Sequence, residues 1–152
     1  MIEKTIKGIK YRLDEERLTA EVIAKRNGYE GDIIIPETVV FKKVAYRVTS
    51  IEEEAFLEGS SLTSMVIGNG VTSIGEKAFY YCSSLTSIVI GNGVTSIGDL
   101  AFLDCSSLTS ITYNDTKAQW KGIKLGDDWN EGVPASVIHC TDGDIKNTKT
   151  YL

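Results

Sequence analysis

The sequence predicts a solenoid: a right-handed α/β stack of about five short coils, mostly β with short helical turns. The first observation behind this is three consecutive units of 23 residues, which begin at Val48, Val71 and Val94. The first two units agree at 17 of 23 positions. A fixed period of this length is typical of stacked repeats. The second observation is that the flanking residues depart from the repeat, as the caps of an open stack must.

Each unit contains two extended segments. Leu85, Ile88 and Ile90 have the spacing of a strand in which the two isoleucines face the same side. The glycines of the following segment, residues 91–93, tolerate a positive φ, so we expect a sharp turn there before a second strand over residues 94–97. Residues 76–82 carry apolar side chains at near-helical spacing, which predicts one or two turns of helix.

Stacking of the units aligns equivalent side chains, because parallel strands lie about 4.8 Å apart. We therefore expect internal columns with these members: Phe56, Phe79 and Phe102 in one, and Gly59, Cys82 and Cys105 in another. Equivalent cysteines on parallel coils have parallel Cβ vectors, so the two thiols are predicted to be reduced and buried.

The chain is predicted to be a single domain over residues 1–152. Residues 1–47 form an N-terminal cap with a degenerate repeat, residues 48–70, 71–93 and 94–116 are the repeats, and residues 117–152 are a C-terminal cap and tail. In the first cap we expect hairpins over residues 8–23 and 40–47, and a strand over residues 33–39 in register with the repeats.

The C-terminal cap is predicted to begin with a helix over residues 116–123. Thr116 or Asp115 is its N-cap, and Trp120 covers the last coil. A polar loop over residues 126–134, a strand over 135–140 and a mobile tail after Asp142 are expected to follow.

Composition limits the classes of function. The formal charge of −5 and the isoelectric point near 4.9 argue against a nucleic-acid partner, which requires clustered basic residues. No apolar run has the length of a membrane span, and residues 1–10 lack the apolar core of an export signal. The three cysteines contain no CxxC pair, and they do not indicate whether the protein lies in an oxidising or a reducing cellular compartment.

The sequence does not predict a catalytic, cofactor or metal site. Residues 70–77 have the glycine spacing of a phosphate-binding loop, but Glu76 stands where a lysine is required. The single histidine, His139, precedes Cys140 on a predicted strand, where neighbouring side chains point to opposite faces. We interpret the acidic runs near residues 52–54, 127–128 and 142–144 as solvated surface, and we expect no enzyme activity.

The repeating pattern VTSI…AF…C…SLTSI…I resembles the BspA-like class of leucine-rich repeats. Proline follows the strand in most members of that class, and here only Pro36 is kept, with Gly68 and Gly91 at the equivalent positions. The resemblance implies a leucine-rich-repeat solenoid, display outside the cell or on a bacterial cell surface, adhesion, and no catalysis.

Two surfaces are candidates for binding a protein or glycan partner. On the strand side, outward residues should form the ladders Ser64, Ser87, Ser110 and Val66, Val89, Thr112. On the predicted helical side, Tyr80 and Tyr81 place adjacent aromatic rings on the middle coil, where they either bind a partner or cover the next coil. The strand side lacks tight-binding anchors, so weak engagement or weak self-association is expected. A structural spacer in a larger surface protein is the second hypothesis, and an enzyme is the third.

Overall fold

A computed structural model describes residues 1–148 of the chain. It is built from strands joined by turns, with one short helix. The strands are β1 (Ile2–Ile6), β2 (Ile9–Asp14), β3 (Thr19–Val22), β4 (Gly31–Ile35), β5 (Thr38–Phe41), β6 (Val44–Ile51), β7 (Leu62–Ile67), β8 (Ser73–Ile74), β9 (Ser87–Ile90), β10 (Ser96–Ile97), β11 (Ser110–Tyr113), β12 (Lys124–Leu125), β13 (Val137–Cys140) and β14 (Gly143–Lys146). The helix is α1 (Lys117–Lys121).

The strands form two sheets on two sides of the stack. The first sheet has the order β1-β2-β3-β6-β8-β10-β12, with β5 beside β6, and the second has the order β14-β13-β11-β9-β7-β4. The strands of successive coils pair in parallel, with Ser64 opposite Ser87 and Ser87 opposite Ser110. The predicted mostly-β solenoid is confirmed, but it makes about 4 turns instead of five coils. Strands β1, β2, β5 and β14 are antiparallel additions that belong to the caps.

The predicted internal columns are confirmed. The ring of Phe79 stacks on Phe56 and on Phe102 with centroid distances of 5.0 Å and interplanar angles of 2° and 3°. Cys82 and Cys105 are free and fully buried. Their sulfurs donate to the carbonyls of Phe56 and Phe79 in the preceding coil, at 3.0 Å each. The hydrogen bond with Cys82, together with burial, raises the pKa of the Cys105 thiol.

The third side of the stack consists of turns, and the predicted helix over residues 76–82 is wrong. Lys77 and Tyr81 have φ values of 55° and 58°, which a right-handed helix does not allow. The N–H groups of Ala78, Tyr80 and Cys82 bond three residues back within the coil. The N–H groups of Lys77, Phe79 and Tyr81 instead donate to the next coil. The apolar spacing resembles a helix only because every buried side chain here points to one core.

The expectation of positive φ at the glycines after each strand is also wrong. None of Gly68, Gly70, Gly91 and Gly93 has a left-handed backbone. Glycine is needed at these positions because a side chain would collide with the backbone of the preceding coil. A Cβ on Gly91 would lie 2.6 Å from the carbonyl oxygen of Gly68 in the coil before it. Glycine therefore lets the corners of neighbouring coils approach closely.

The N-terminal cap contains both predicted hairpins. Strands β2 and β3 pair antiparallel, as do β5 and β6, with Lys42 and Lys43 left-handed in the turn. Strand β4 pairs in parallel with β7, in the register that the repeat pattern predicts. Strand β1, which the sequence pattern did not predict, extends the first sheet beyond β2.

The C-terminal cap contains the predicted helix, which is shorter than expected. Thr116 is its N-cap and accepts from the Gln119 N–H at 3.2 Å. The buried Trp120 packs on Tyr113 and Trp129, with centroids 5.3 Å and 5.8 Å apart.

The segment predicted as a polar loop, residues 126–134, is a further set of turns in the stack. Its carbonyls at Asp127, Trp129 and Glu131 accept from the coil before it, as the equivalent carbonyls do in the repeats. The strand predicted over residues 135–140 is β13. The tail was predicted to be mobile after Asp142, but its described part is packed against the stack, because β14 pairs with β13 and Asn147 is buried. The remainder of the predicted mobile tail, residues 149–152, lies outside the described residues.

Candidate functional site

The outer face of the second sheet carries the predicted ladders. Ser64, Ser87 and Ser110 lie opposite one another in adjacent strands and are half-buried. Val66, Val89 and Thr112 form the second row in the same way. The core positions between them are buried, so the alternation of the strands separates a packed inner face from a regular outer face.

Both rows continue beyond the predicted residues into the caps. Ile34 lies opposite Val66 and is 67% exposed, and His139 lies opposite Thr112 at the other end. The row of serines continues to Asp32, whose Oδ1 accepts from Ser64 Oγ at 2.7 Å and from Thr63 Oγ1 at 2.9 Å. These hydrogen bonds, chiefly the one from Ser64, lower the pKa of Asp32. Ile34 and Asp32 were not among the predicted face residues, although the register of residues 33–39 with the repeats already implied Ile34 and, extended by one residue, Asp32.

The outer face of the first sheet differs in chemistry, because a network of paired charges lies at its N-terminal end. Arg12 Nη1 lies 2.9 Å from Glu21 and 2.8 Å from Glu52, and Arg12 Nη2 lies 3.8 Å from Glu3. The hydrogen bond to Glu52 is the largest cause of the raised pKa of Arg12. This network connects the N-terminal cap to the first full repeat. Over the three repeats, by contrast, the outward residues of the second sheet are neutral.

Tyr80 and Tyr81 lie on the side formed by turns, away from the strand ladders. Their rings make an edge-to-face contact at 4.5 Å, and Lys77 Nζ lies 5.6 Å from the Tyr80 centroid. Tyr81 is exposed, and a hydrogen bond with Asp104 in the next coil raises its pKa. The structure thus keeps the two candidate surfaces separate, and Tyr81 contacts the neighbouring coil.

The single histidine is paired with a carboxylate. His139 Nδ1 lies 2.8 Å from Asp144 Oδ1 across an exposed hairpin, and among the described residues the neighbouring Cys140 makes its hydrogen bond to the Ile138 carbonyl instead. Among residues 1–148, no three histidine, cysteine or acidic side chains converge as metal ligands would. Burial raises the pKa of Tyr11 and of Tyr29 in the N-terminal cap, where both rings are part of the core. In the part of the chain that the structure describes, no helix combines the length and apolar composition needed to cross a membrane.

Comparison with known proteins gives one family and several similar structures. The family model described as the BspA type leucine rich repeat region matches residues 37–121 in six copies, which is more than half of the chain. No curated protein sequence gives a significant match.

The similar structures are bacterial leucine-rich repeat proteins. A protein from Bacteroides ovatus is 30% identical with a TM-score of 0.73, over 88% of this chain and 34% of that one. A leucine rich cell surface protein from Faecalibacterium prausnitzii is 27% identical with a TM-score of 0.65, over 93% of this chain and 43% of that one. A leucine-rich repeat protein from Bacteroides capillosus, at 24% identity and a TM-score of 0.72, covers 91% of this chain and 97% of that one, and shows the fold alone.

The chain therefore spans less than half of two of these longer proteins. The period of 23 residues, the parallel strand ladders and the family match agree. The chain belongs to the BspA-type leucine-rich repeat family.

Proposed function

We propose that the chain is a non-catalytic interaction module that is displayed on a cell surface and binds a protein or glycan partner. The observation that carries this proposal is the outer face of the second sheet. There, Ile34, Val66, Val89 and Thr112 form a continuous row of apolar and β-branched side chains beside a row of serines. Display on the surface is supported by the likeness to the Faecalibacterium prausnitzii protein, which is itself described as a cell surface protein.

The character of this face sets the expected strength of binding. Its side chains are small, half-buried and uncharged over the three repeats, so they offer hydroxyl groups and methyl groups but no arginine or tryptophan anchor. A single domain should therefore bind weakly, and tight binding needs several copies or neighbouring domains. A flat face with an exposed Ile34 also favours weak self-association.

The test places arginine at the centre of the face. The double variant Ser87→Arg with Val89→Arg should reduce capture by immobilised matrix proteins and a glycan panel about tenfold or more, because bulky charges prevent close approach. The matched control is Tyr80→Arg with Tyr81→Arg, which adds the same charge on the turn side. Sedimentation of both variants measures self-association in parallel.

The two variants separate the hypotheses. Loss of capture only in the tyrosine variant would refute the strand face and place the site on the turn side. No saturable capture by the parent chain would favour a structural spacer. The spacer hypothesis has its own support, because the Bacteroides ovatus and Faecalibacterium prausnitzii structures contain this fold within longer chains.

A further inference from the structure

The turn side of the stack has its own ladder of hydrogen bonds between coils. The N–H groups of Glu54, Phe56 and Glu58 donate to carbonyls of the next coil at 3.0, 2.7 and 2.6 Å. Lys77, Phe79 and Tyr81 repeat the arrangement one coil later, and Leu100, Phe102 and Asp104 do so once more. In each coil, therefore, every second residue donates its N–H to the following coil, and the residues between them accept through their carbonyls from the preceding coil.

This ladder stops at the first full repeat. The carbonyls of Glu53, Ala55 and Leu57 are equivalent to those of Glu76, Ala78 and Tyr80, which accept from the preceding coil. Within residues 1–148, no N–H or side-chain donor reaches any of these three carbonyls. The segment above them, residues 24–30, does not follow the repeat. Its Gly28 N–H bonds to Lys25 within the same turn.

A cavity of about 350 Å³ is lined by Ala55 and Leu57, two of the three residues whose carbonyls are unpaired. Residues 54–61 form one wall, and the other is formed by Ala24, Lys25, Asn27, Gly28 and Tyr29. Glu54 and Glu58 are among its lining residues, and so is Leu57, which is 37% exposed. The only cation in the lining is Lys25.

The ammonium group of Lys25 is directed to other partners. Its Nζ lies 2.9 Å from the Gly8 carbonyl oxygen and 4.7 Å from the centre of the Tyr29 ring. The lining therefore combines two residues with unpaired carbonyls, Ala55 and Leu57, with two acidic residues, Glu54 and Glu58. Its polar character calls for a ligand that is cationic and carries only donors.

We propose that this cavity binds an arginine side chain presented by a loop of a partner protein. A guanidinium group carries five N–H donors and no acceptor, and it gives up its hydration more easily than an ammonium group. Its aliphatic stem would lie along Leu57, while the donors reach the free carbonyls and the carboxylates of Glu54 and Glu58. This site is on the turn side, and its occupancy does not depend on the proposed strand-face function.

The probe is the peptide acetyl-Gly-Arg-Gly-amide, titrated into the ¹⁵N-labelled full chain and followed by amide chemical shifts. The control peptide carries citrulline, which keeps the shape of arginine and removes its charge. We expect shifts confined to residues 24–30 and 53–61, with the citrulline peptide binding about tenfold more weakly because charge-assisted bonds are lost.

A pair of variants separates a built site from general attraction to acidic surface. Glu58→Gln should weaken arginine binding several-fold, whereas Glu76→Gln, on the next coil and outside the cavity, should not change it. Equal binding of both peptides, or shifts spread over the acidic turns near Glu76, Asp99 and Asp127, would overturn the proposal. So would the absence of any shift, since the carbonyls would then be solvated only by water. Because Ser87 and Val89 are on another face, their arginine variants should leave this titration unchanged.

Discussion

Truncation of Phe79 to alanine tests whether the aromatic column holds the stack together. The ring is 0% exposed and lies between two parallel rings at 5.0 Å. Loss of a buried phenylalanine costs about 3–5 kcal/mol, from lost transfer energy and the cavity left behind. Here the cavity is bounded by Phe56 and Phe102, which are anchored in their own coils and cannot collapse into it. The cost should therefore fall in the upper half of that range, a large part of the ~5–15 kcal/mol that stabilises a domain.

The assay is thermal unfolding, supported by urea titration. For a chain of this length each kcal/mol shifts the midpoint by about 2–4 °C, so Phe79→Ala should melt roughly 8–20 °C below the parent. The matched control is Phe41→Ala, the same chemical change at a partly buried ring in the β5–β6 hairpin. A loss at Phe79 no greater than the loss at Phe41 would refute the column as a main source of stability.

Two further predictions concern the turns and the N-terminal cap. Gly98→Ala should cost about 1–3 kcal/mol in urea titrations, because its Cβ would lie 2.5 Å from the Glu76 nitrogen of the preceding coil and force the coils apart. The control is Leu100→Gly, two residues further along, where the backbone φ is 58°. This variant should stay within about 1 kcal/mol of the parent, because relief of the left-handed strain offsets the added freedom of the unfolded chain. Equal losses of stability in the two variants would refute the argument that Gly98 is needed for the close approach of the coils. The free energy of unfolding should decrease as pH rises above 10.0, the ordinary pKa of tyrosine, because the unfolded chain then loses the Tyr11 proton that the folded chain keeps. Tyr11→Phe should reduce this alkaline loss, and an unchanged pH profile would contradict the assignment.

Much of the fold could be predicted because the contacts of a solenoid are made between neighbouring copies. Once a unit repeats every 23 residues, equivalent positions must meet, and the stacking of Phe56 on Phe79 follows from sequence spacing alone. The same logic predicted the serine ladder at Ser64 and Ser87, since a strand alternates its faces and parallel pairing preserves the register.

The turn side could not be predicted in the same way. The spacing of Ala78, Phe79 and Cys82 fits a helix, and the left-handed residues Lys77 and Tyr81 are not glycines, so no local signal marks the reversal. Hydrogen bonding across coils decides it. The N–H groups of Lys77, Phe79 and Tyr81 each donate to a carbonyl of the adjacent coil, and these hydrogen bonds compensate for the strain of the left-handed conformation.

The sequence by itself thus determined the family, the columns and the outward ladders, because these depend only on period and alternation. Only the tertiary structure decided the packing of the last coil. There, Trp129 stands at the position of Ala101, and Asn130 stands at the position of Phe102. There the core is filled from a different position, since the Trp129 ring meets Phe102 edge-on at 6.0 Å. Buried Asn130 is satisfied by Asn147, at 2.7 Å and 17 residues away, a partner that no local pattern identifies. In the last coil the core is still filled and its buried polar groups are still hydrogen-bonded, although the residue types differ from those of the repeats.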